Sequence, residues 1–459
     1  MTRPRQNNRR PSGGSSGPRA SGKVARVDPV RAKAVDLLML AETERVPLTG
    51  PMDAAVGEIP REQDRAFLRN LVLQTMRHRL RLDTVLGKFL RAGGVNSLDD
   101  AVRQVLRIGA AQALIFDAVP PHAVVATSVD LASHFGHRGT AGLTNAVLRK
   151  VVRQGQREWD ALSDLPQTVA GLSVRFSHPE WMIERWLARF GLEETVRILN
   201  WNLEMPEYWL RLAPGAEAPA GTEPGWIPGT ARCPAGPMSM PGFFAGDFAI
   251  QDGSGILVGN LPPSLHGSII DLCAAPGTKS VHLSERAVGE PESHITALDL
   301  SPGRLDRMRS GLRRTQRPEM DLAVAAGADI PVVRPWNGIL IDAPCSNLGV
   351  LRRRVDAKWR SQAAEIPKLA ERQRELLEAA AEGVAPGGWL LYSVCTIEPE
   401  ETVDQFVQFR ERHPDFSPAP FPEWIPKEIR GEPGELVLRP GQVQTDGGYA
   451  FVVMRGAED

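Results

Sequence analysis

Two short stretches of the sequence each place a cysteine directly after an apolar run. Cys345 lies in ILIDAPCSNLG, which also carries Asp342, and Cys395 lies in LLYSVCTIEPEE. Aspartate and proline disfavour the continuation of a strand, so we expect the side chains of Asp342 and Cys345 to face a cleft. Two thiols that converge near a carboxylate would suit covalent catalysis by a cysteine nucleophile. Either thiol alone would equally fit a small buried apolar side chain.

The other two cysteines, Cys233 and Cys273, give no sign of a metal site. The four cysteines have no CxxC spacing, and no histidine accompanies them in a metal-like cluster. The sequence has no run of about 18 apolar residues, and its N-terminus is basic and polar, so it predicts neither a membrane segment nor a signal peptide. We therefore expect a cytoplasmic protein with reduced thiols.

The alternation of apolar runs and helical stretches after residue 240 predicts the scaffold that would position both thiols. Continuous apolar strands separated by amphipathic segments are typical of a mainly parallel sheet covered on both faces. In such a doubly wound α/β domain, ligands bind beyond the carboxyl ends of the strands, where Cys345 and Cys395 are expected. The predicted strands are 268–273, 294–300, 321–326, 338–344, 387–395 and 449–454.

Three further strand ends carry residues that could bind a nucleoside cofactor. DLCAAPGTKS (271–280) has small residues that would let the backbone approach a ligand, and it matches neither the phosphate loop nor GxGxxG. Asp299 ends the second strand, where its carboxylate could accept hydrogen bonds from both ribose hydroxyls or could cap the next helix. Asp329, after the third strand, could face an adenine amino group or be an ordinary turn residue.

The first part of the chain is predicted to be helical. Apolar residues recur with the 3.6-residue period over 64–90, 97–116, 122–135 and 140–154, which predicts an all-α bundle. Basic residues crowd two of these segments, and they fit either solvated helix faces or a surface that contacts RNA phosphates. They are Arg65, Arg69, Arg77, His78, Arg79, Arg81 and Lys88 in the first segment and Arg149, Lys150 and Arg153 in the second.

With 459 residues, the chain is too long for a single core, and its composition divides it into four predicted parts. Residues 1–28 form a basic tail, which could be disordered or could grasp RNA. Residues 29–155 form the helical bundle, 156–240 form linker helices with a small RNA-binding-like α+β segment, and 241–459 form the sheet domain. Within the part 156–240, the Pro-, Gly- and Ala-rich stretch 213–240 is predicted to be an irregular connection.

Taken together, the motifs after residue 240 resemble the RNA cytosine-5 methyltransferases that use S-adenosylmethionine. The motifs are GFFAGDFAIQDGSG, DLCAAPGTKS, LDLS, IDAPCSNLGVLRRRVDAKW, YSVCTIEPEE and TDGGYAF, in that order. Residues 29–155 resemble the RNA-binding antitermination factor NusB, notably in REQDRAFLRNLVLQTMRH and TNAVLRKV. A NusB-like bundle ahead of a Rossmann-like methyltransferase domain is the architecture of the bacterial 16S ribosomal RNA methyltransferases of the RsmB type.

The resemblance implies roles for residues of this chain. Cys395 would be the nucleophile that adds to carbon 6 of cytosine, and Cys345 would assist release of the product. Asp342 is the candidate for the group that donates or stabilises a proton near ring nitrogen 3. The S-adenosylmethionine site would comprise Cys273, Ala274, Ala275, Pro276, Gly277, Thr278, Lys279, Asp299, Asp329 and Asp342.

Three departures from the family pattern bear on these roles. Asn347 stands where the family usually has a glycine, and Val394 stands where a threonine usually precedes the nucleophile. Asp329 lies one position later than the acid of the usual third-strand loop. These positions are where this chain is expected to differ from its relatives.

The predicted activity is methylation of carbon 5 of a cytosine in 16S ribosomal RNA, free or within a small-subunit precursor, by a monomeric enzyme. Two alternatives stay open: the same reaction on another RNA such as transfer RNA, and a non-catalytic RNA-binding factor of ribosome assembly. The target base would have to leave any stack, which favours loops or opened RNA. The run LRRRVDAKWR (351–360) could hold flanking phosphates through Arg352, Arg353, Arg354 and Lys358.

Overall fold

The computed structural model describes residues 27–91, 93–233, 236–290, 292–315, 320–326 and 335–457. Asp329 and residues 1–26 of the predicted basic tail lie outside this part of the chain. The helices are α1 (Pro29–Thr43), α2 (Thr49–Gly57), α3 (Glu62–Arg77), α4 (Arg79–Gly87), α5 (Asp100–Leu114), α6 (Pro121–Phe135), α7 (Arg138–Asp160), α8 (Val169–Phe176), α9 (Glu180–Leu203), α10 (Gly253–Gly259), α11 (Thr278–Arg286), α12 (Pro302–Thr315), α13 (Ala357–Arg360), α14 (Ile366–Gly383) and α15 (Val403–Arg412). The strands are β1 (Tyr208–Leu212), β2 (Glu223–Pro224), β3 (Thr230–Cys233), β4 (Phe248–Ile250), β5 (Ser268–Asp271), β6 (His294–Asp299), β7 (Asp321–Val324), β8 (Trp336–Asp342), β9 (Val384–Val394), β10 (Phe416–Pro418), β11 (Glu435–Leu438) and β12 (Gly448–Arg455).

The predicted all-α bundle is confirmed for the N-terminal region. Its helices bury the apolar positions expected from the 3.6-residue period, and Gly109 allows α5, α6 and α7 to pack closely. A Cβ atom at Gly109 would lie 2.5 Å from Leu148 and 2.9 Å from Ser128. The predicted helical stretch 64–90 is two helices, because the backbone leaves the helical conformation at His78. None of the described helices is long and apolar enough to span a membrane.

A small antiparallel sheet follows the long helix α9. Its strand order is β2-β3-β1-β4, and β1 pairs with β3 so that Tyr208 lies opposite Cys233. The prediction that 213–240 is irregular was therefore wrong for the short strands β2 and β3, which lie within it. Neither strand is longer than four residues, too short to show a clear two-residue period.

The second sheet confirms the predicted α/β architecture. In the described residues its order is β10-β12-β9-β8-β5-β6-β7, with β11 paired to β12, and the strands from β9 to β7 are parallel. The chain passes from β5 outwards to β6 and β7 and then returns to β8 on the other side. The parallel strands β5 and β8 are neighbours, and the connections that follow them run towards opposite edges of the sheet. Such a point opens a crevice at the carboxyl ends of the two strands.

The run 351–360 joins the two halves of the molecule and is not free to bind phosphates along its length. Arg77 donates a hydrogen bond to the carbonyl oxygen of Arg352 (2.7 Å), and Lys358 donates one to the carbonyl oxygen of Arg77 (3.0 Å). Val355 packs into the core of the helical bundle. Because Arg352 and Lys358 are buried at this contact, their predicted role as phosphate ligands was wrong; of the four cations, only Arg354 is exposed.

Candidate active site

The two strand-end cysteines meet beyond the carboxyl ends of the neighbouring strands β8 and β9. The Sγ atoms of Cys345 and Cys395 lie 3.2 Å apart, and both residues are half-buried. The hydrogen bond to Cys395, together with burial, raises the pKa of Cys345 well above its usual range. A raised pKa favours the protonated thiol, which is a weaker nucleophile than the thiolate.

Asn347 links the two cysteines through its side-chain amide. Its Nδ2 donates to the carbonyl oxygen of Cys345 (2.7 Å), which directs Oδ1 towards the thiol of Cys395 at 3.2 Å. The backbone of Asn347 is left-handed, with φ of 61°, a conformation that asparagine tolerates better than most residues. A glycine would fit the same turn but would make neither contact.

A buried carboxylate ties the two cysteine loops together. The oxygens of Glu401 accept hydrogen bonds from the backbone N–H of Ser346 (2.9 Å), from its hydroxyl, and from the amide of Gln373 (2.9 Å). Ser346 also contacts the hydroxyl of Thr396 (2.7 Å), and Gln373 donates to the carbonyl oxygen of Pro344. Burial raises the pKa of Glu401. This network fixes both loops relative to each other.

Asp342 lies between the cysteines and the predicted cofactor loop. Its Oδ2 pairs with Nζ of Lys279 at 2.7 Å, and its Oδ1 accepts a hydrogen bond from the hydroxyl of Ser393 (2.8 Å). Burial alone would lower the pKa of Lys279, but the charge and hydrogen bond of Asp342, together with other acidic groups nearby, outweigh burial, and the net effect is a raised pKa. Asp342 and Lys279 therefore form an ion pair at the centre of the crevice.

The loop after β5 has the compact backbone that its sequence predicts. Gly277 has a φ of 96°, and a Cβ atom there would lie 2.5 Å from Met308, so only glycine fits at this position. Thr278 begins α11 directly afterwards. At the start of the loop, Asp271 is fully buried and accepts a hydrogen bond from the hydroxyl of Ser280 (2.5 Å). Burial is the main reason that the pKa of Asp271 is raised to about 7.

Asp299 connects this loop to the end of β6. Its Oδ2 accepts a hydrogen bond from the backbone N–H of Ala275 (3.1 Å), and its Oδ1 accepts one from Ser301 (2.9 Å), next to the start of α12. Arg304 pairs with the same carboxylate at 3.2 Å. Each carboxylate oxygen can accept a further hydrogen bond, so these contacts are compatible with both roles considered from the sequence.

The structure thus brings together Cys345, Cys395 and Asp342 with the loop from Cys273 to Lys279, and it places Asp299 against that loop. Asp329 lies outside the described residues. Cys233 lies in β3 of the small sheet and takes no part in the site. Sequence reasoning missed Ser393, Gln373 and Glu401. Nothing in the run EPEE distinguished Glu401, which joins the two cysteine loops, from Glu398 and Glu400, which instead pair with Arg185 of α9.

Two parts of the chain match known protein families. Residues 258–453 match the family model described as 16S rRNA methyltransferase RsmB/F, and residues 29–153 match the NusB family. Among solved structures, the crystal structure of PH0851 has a TM-score of 0.74 at 21% identity and covers 94% of this chain and 100% of its own. NSun6 from Pyrococcus horikoshii with SFG has a TM-score of 0.52 at 19% identity, covering 61% of this chain and 99% of its own.

Curated relatives match both parts together. Probable ribosomal RNA small subunit methyltransferase B of Bacillus subtilis (strain 168) is 31% identical over 411 residues, which cover 84% of this chain and 89% of the relative. Ribosomal RNA small subunit methyltransferase B of Vibrio cholerae is 32% identical over 446 residues, covering 93% and 97%. The fold and the paired-thiol site, with these matches, define a methyltransferase with a NusB-like domain. Within that class, the chain belongs to the RsmB family of ribosomal RNA methyltransferases.

Proposed function

We propose that this protein methylates carbon 5 of a cytosine in 16S ribosomal RNA, using S-adenosylmethionine and a covalent adduct with Cys395. The observation that carries the proposal is the pair of thiols, 3.2 Å apart, beside the ion pair of Asp342 and Lys279. A cytosine-5 transfer needs one thiol to add to the ring and further groups to move protons. The names of the relatives support ribosomal RNA as the substrate class.

The residues at the carboxyl ends of β5, β6 and β7 fit S-adenosylmethionine. The loop from Cys273 to Lys279 would lie against the amino-acid part of the cofactor, with Asp342 nearby, and Asp299 would accept hydrogen bonds from the ribose. Leu300 and Val324 are 70% and 58% exposed at the ends of β6 and β7, and an adenine ring would cover such apolar side chains. Asp329, the proposed adenine contact, lies outside the described residues.

Each catalytic side chain has a distinct proposed task. S-adenosylmethionine, when bound, supplies an electrophilic methyl group. The thiolate of Cys395 adds to carbon 6, which breaks the conjugation of the ring and makes carbon 5 nucleophilic. Asp342, which contacts Lys279 and Ser393, is the group proposed to donate or stabilise a proton at ring nitrogen 3. Once carbon 5 carries the methyl group, its proton leaves and the sulfur–carbon bond breaks, steps that Cys345 assists.

A methylation assay with two cysteine variants tests this division of labour. With 16S RNA transcripts and radiolabelled S-adenosylmethionine, Cys395→Ala should abolish methyl transfer. Cys345→Ala should accumulate a covalent protein–RNA complex on a denaturing gel, because release is blocked after addition. Cys233→Ala, a cysteine of the small sheet, is the matched control and should retain activity. Normal turnover by Cys345→Ala without a trapped complex would refute its role.

The identity of the RNA needs a separate experiment. Bisulfite sequencing of 16S RNA should show one cytosine that loses its methyl group in a strain lacking this protein and regains it on complementation. Transfer RNA from the same strains is sequenced in parallel. Loss of a methyl group from transfer RNA alone would establish the alternative substrate, and no loss in either RNA would contradict the proposed activity.

A further inference from the structure

One helix of the NusB-like bundle carries a row of exposed cations. They are Arg138, Arg149, Lys150, Arg153 and Arg157 of α7. At 3.6 residues per turn, all five fall within an arc of about 120° on the helix surface. The opposite face of α7 is buried, with Thr144, Val147, Leu148 and Val151 packed in the bundle. The row extends along about 30 Å of helix.

These cations have no acidic partners in the described part of the chain. Arg149 donates to the side-chain oxygen of Asn145 (3.1 Å), and Arg153 donates to the carbonyl oxygen of Arg149 (3.3 Å). The acids of α7, Glu158 and Asp160, both lie in its last turn, and Asp160 accepts a hydrogen bond from Gln156. A row of exposed cations without counter-charges is an electrostatic footprint for a polyanion.

Three cations of the other basic stretch of the bundle are engaged inside the protein. Arg77 is buried against the 351–360 segment, and Arg79 pairs with Glu42 at 2.7 Å. Arg81 donates to the carbonyl oxygen of Arg175 (3.1 Å) and lies over the ring of Trp159. These side chains could bind phosphates only by giving up contacts that hold the fold. Of the two basic segments identified from the sequence, α7 is the one whose cations form an extended exposed row, whereas in the other segment Lys88, just after α4, is exposed.

A groove beside the cation row adds space for the rest of a nucleotide chain. The cavity between α6 and α7 has a volume of about 730 Å³ and is lined by Val125, Val129 and Val152, with His122, Arg149 and Arg153 also at its wall. Asp130 of α6 also lines it. Apolar surface next to cations suits RNA, because sugars and bases can pack against the apolar side chains while the phosphates pair with the cations.

We propose that the exposed face of α7, with the adjoining α6–α7 groove, binds the RNA substrate outside the catalytic crevice. The identity of the ligand as RNA rests on the proposed function, whereas the location rests on the charges of α7. Phosphates bind to the row from Arg149 to Arg157, and the crevice between β5 and β8 receives the target base. Binding at this face selects and orients the RNA, and chemistry takes place in the other domain.

The test uses the full chain in a Cys395→Ala background, so that binding is measured without turnover. The triple variant Arg149→Glu, Arg153→Glu and Arg157→Glu should bind a fluorescent 16S RNA transcript at least tenfold more weakly. Three lost phosphate contacts should also reduce the slope of log Kd against log salt by about 2. Glutamate is as good a helix former as arginine, so circular dichroism should be unchanged.

The matched control reverses three cations of the sheet domain, Arg374→Glu, Arg412→Glu and Lys427→Glu, with the same change in net charge. Equal weakening in both triple variants would mean that bulk charge, and not the α7 face, governs affinity, and would overturn the proposal. An α7 variant that binds RNA within twofold of the parent would also overturn the proposal. If deletion of residues 1–26 weakened binding in that case, the basic tail, and not α7, would be the RNA-binding element. A parent chain that binds no RNA would instead refute the proposed function.

Discussion

The thiols of Cys345 and Cys395 lie 3.2 Å apart although fifty positions separate them in the chain. The relationship follows from the sheet register, because β8 and β9 are parallel neighbours and Asp342 lies directly opposite Ser393. Cys345 lies three residues after the end of β8, and Cys395 directly follows the last residue of β9. The adjacency of these side chains is thus a property of strand order as well as of the two motifs.

A mild oxidant should cross-link this pair. Diamide takes the two thiol hydrogens as it is reduced to the hydrazine, and a Cys345–Cys395 disulfide forms. Intact mass spectrometry should show the loss of two hydrogens, and methyl transfer should fall in parallel and return with dithiothreitol. Cys345→Ala should not show this mass change, whereas Cys233→Ala should behave like the parent. Free alkylation of both thiols after diamide treatment would contradict the measured geometry.

Removal of the buried carboxylate between the loops should weaken both structure and catalysis. Glu401→Ala leaves the N–H and hydroxyl of Ser346 and the amide of Gln373 without their shared acceptor. We expect a loss of about 3 kcal/mol in the free energy of unfolding, with a lower kcat for methylation. Glu401→Gln retains an acceptor oxygen and should lose clearly less, as measured by urea unfolding. Equal losses in the two variants would show that a single retained acceptor oxygen does not replace the carboxylate, and would contradict this account of Glu401→Gln.

Continuous apolar runs between polar turns predicted most of the sheet domain, because the strands of a parallel sheet are buried on both faces. Such runs could not reveal partners that come together only in three dimensions. Arg352 and Lys358 looked like phosphate ligands, since nothing local indicates that Arg77, nearly 300 positions earlier, shares their contact. Glu401 was hidden for the same reason among neighbouring acids. The residue types in the motifs were enough to identify the motif residues. The contacts that support them could be identified only from the three-dimensional structure.

Asn347 offers a test of backbone strain at the site. With φ of 61°, an alanine at this position places a Cβ atom in a left-handed conformation, whereas a glycine does not. Both variants lose the side-chain contacts to Cys345 and Cys395, so the difference between their free energies of unfolding measures the cost of the left-handed backbone conformation. Asn347→Ala should be less stable than Asn347→Gly by about 1–2 kcal/mol in urea unfolding. Equal stability would indicate that the turn relaxes when the amide is removed.

The buried Asp271 should make stability fall as the pH rises towards neutrality. Burial raises its pKa from the ordinary 3.8 to about 7, and the charge of Asp342 adds to this effect, while the hydrogen bond from Ser280 and the charge of Lys279 oppose it. Between about pH 4 and 7 the folded chain holds a proton on Asp271 that the unfolded chain has released. The folded state therefore loses stability across this window, by about 4 kcal/mol at most.

Asp271→Asn isolates this contribution, because the amide oxygen can still accept the hydrogen bond of Ser280 and the side chain never ionises. The stability of the parent minus that of Asp271→Asn should decrease steadily from pH 4.5 to 7 and level off above it, as measured by urea midpoints at each pH. Asp306→Asn, a change at an exposed acid of α12, should leave the pH dependence as it is in the parent. Parallel curves for the parent and Asp271→Asn would show that Asp271 is ionised in the folded protein throughout this range, and that Lys279 compensates for its burial.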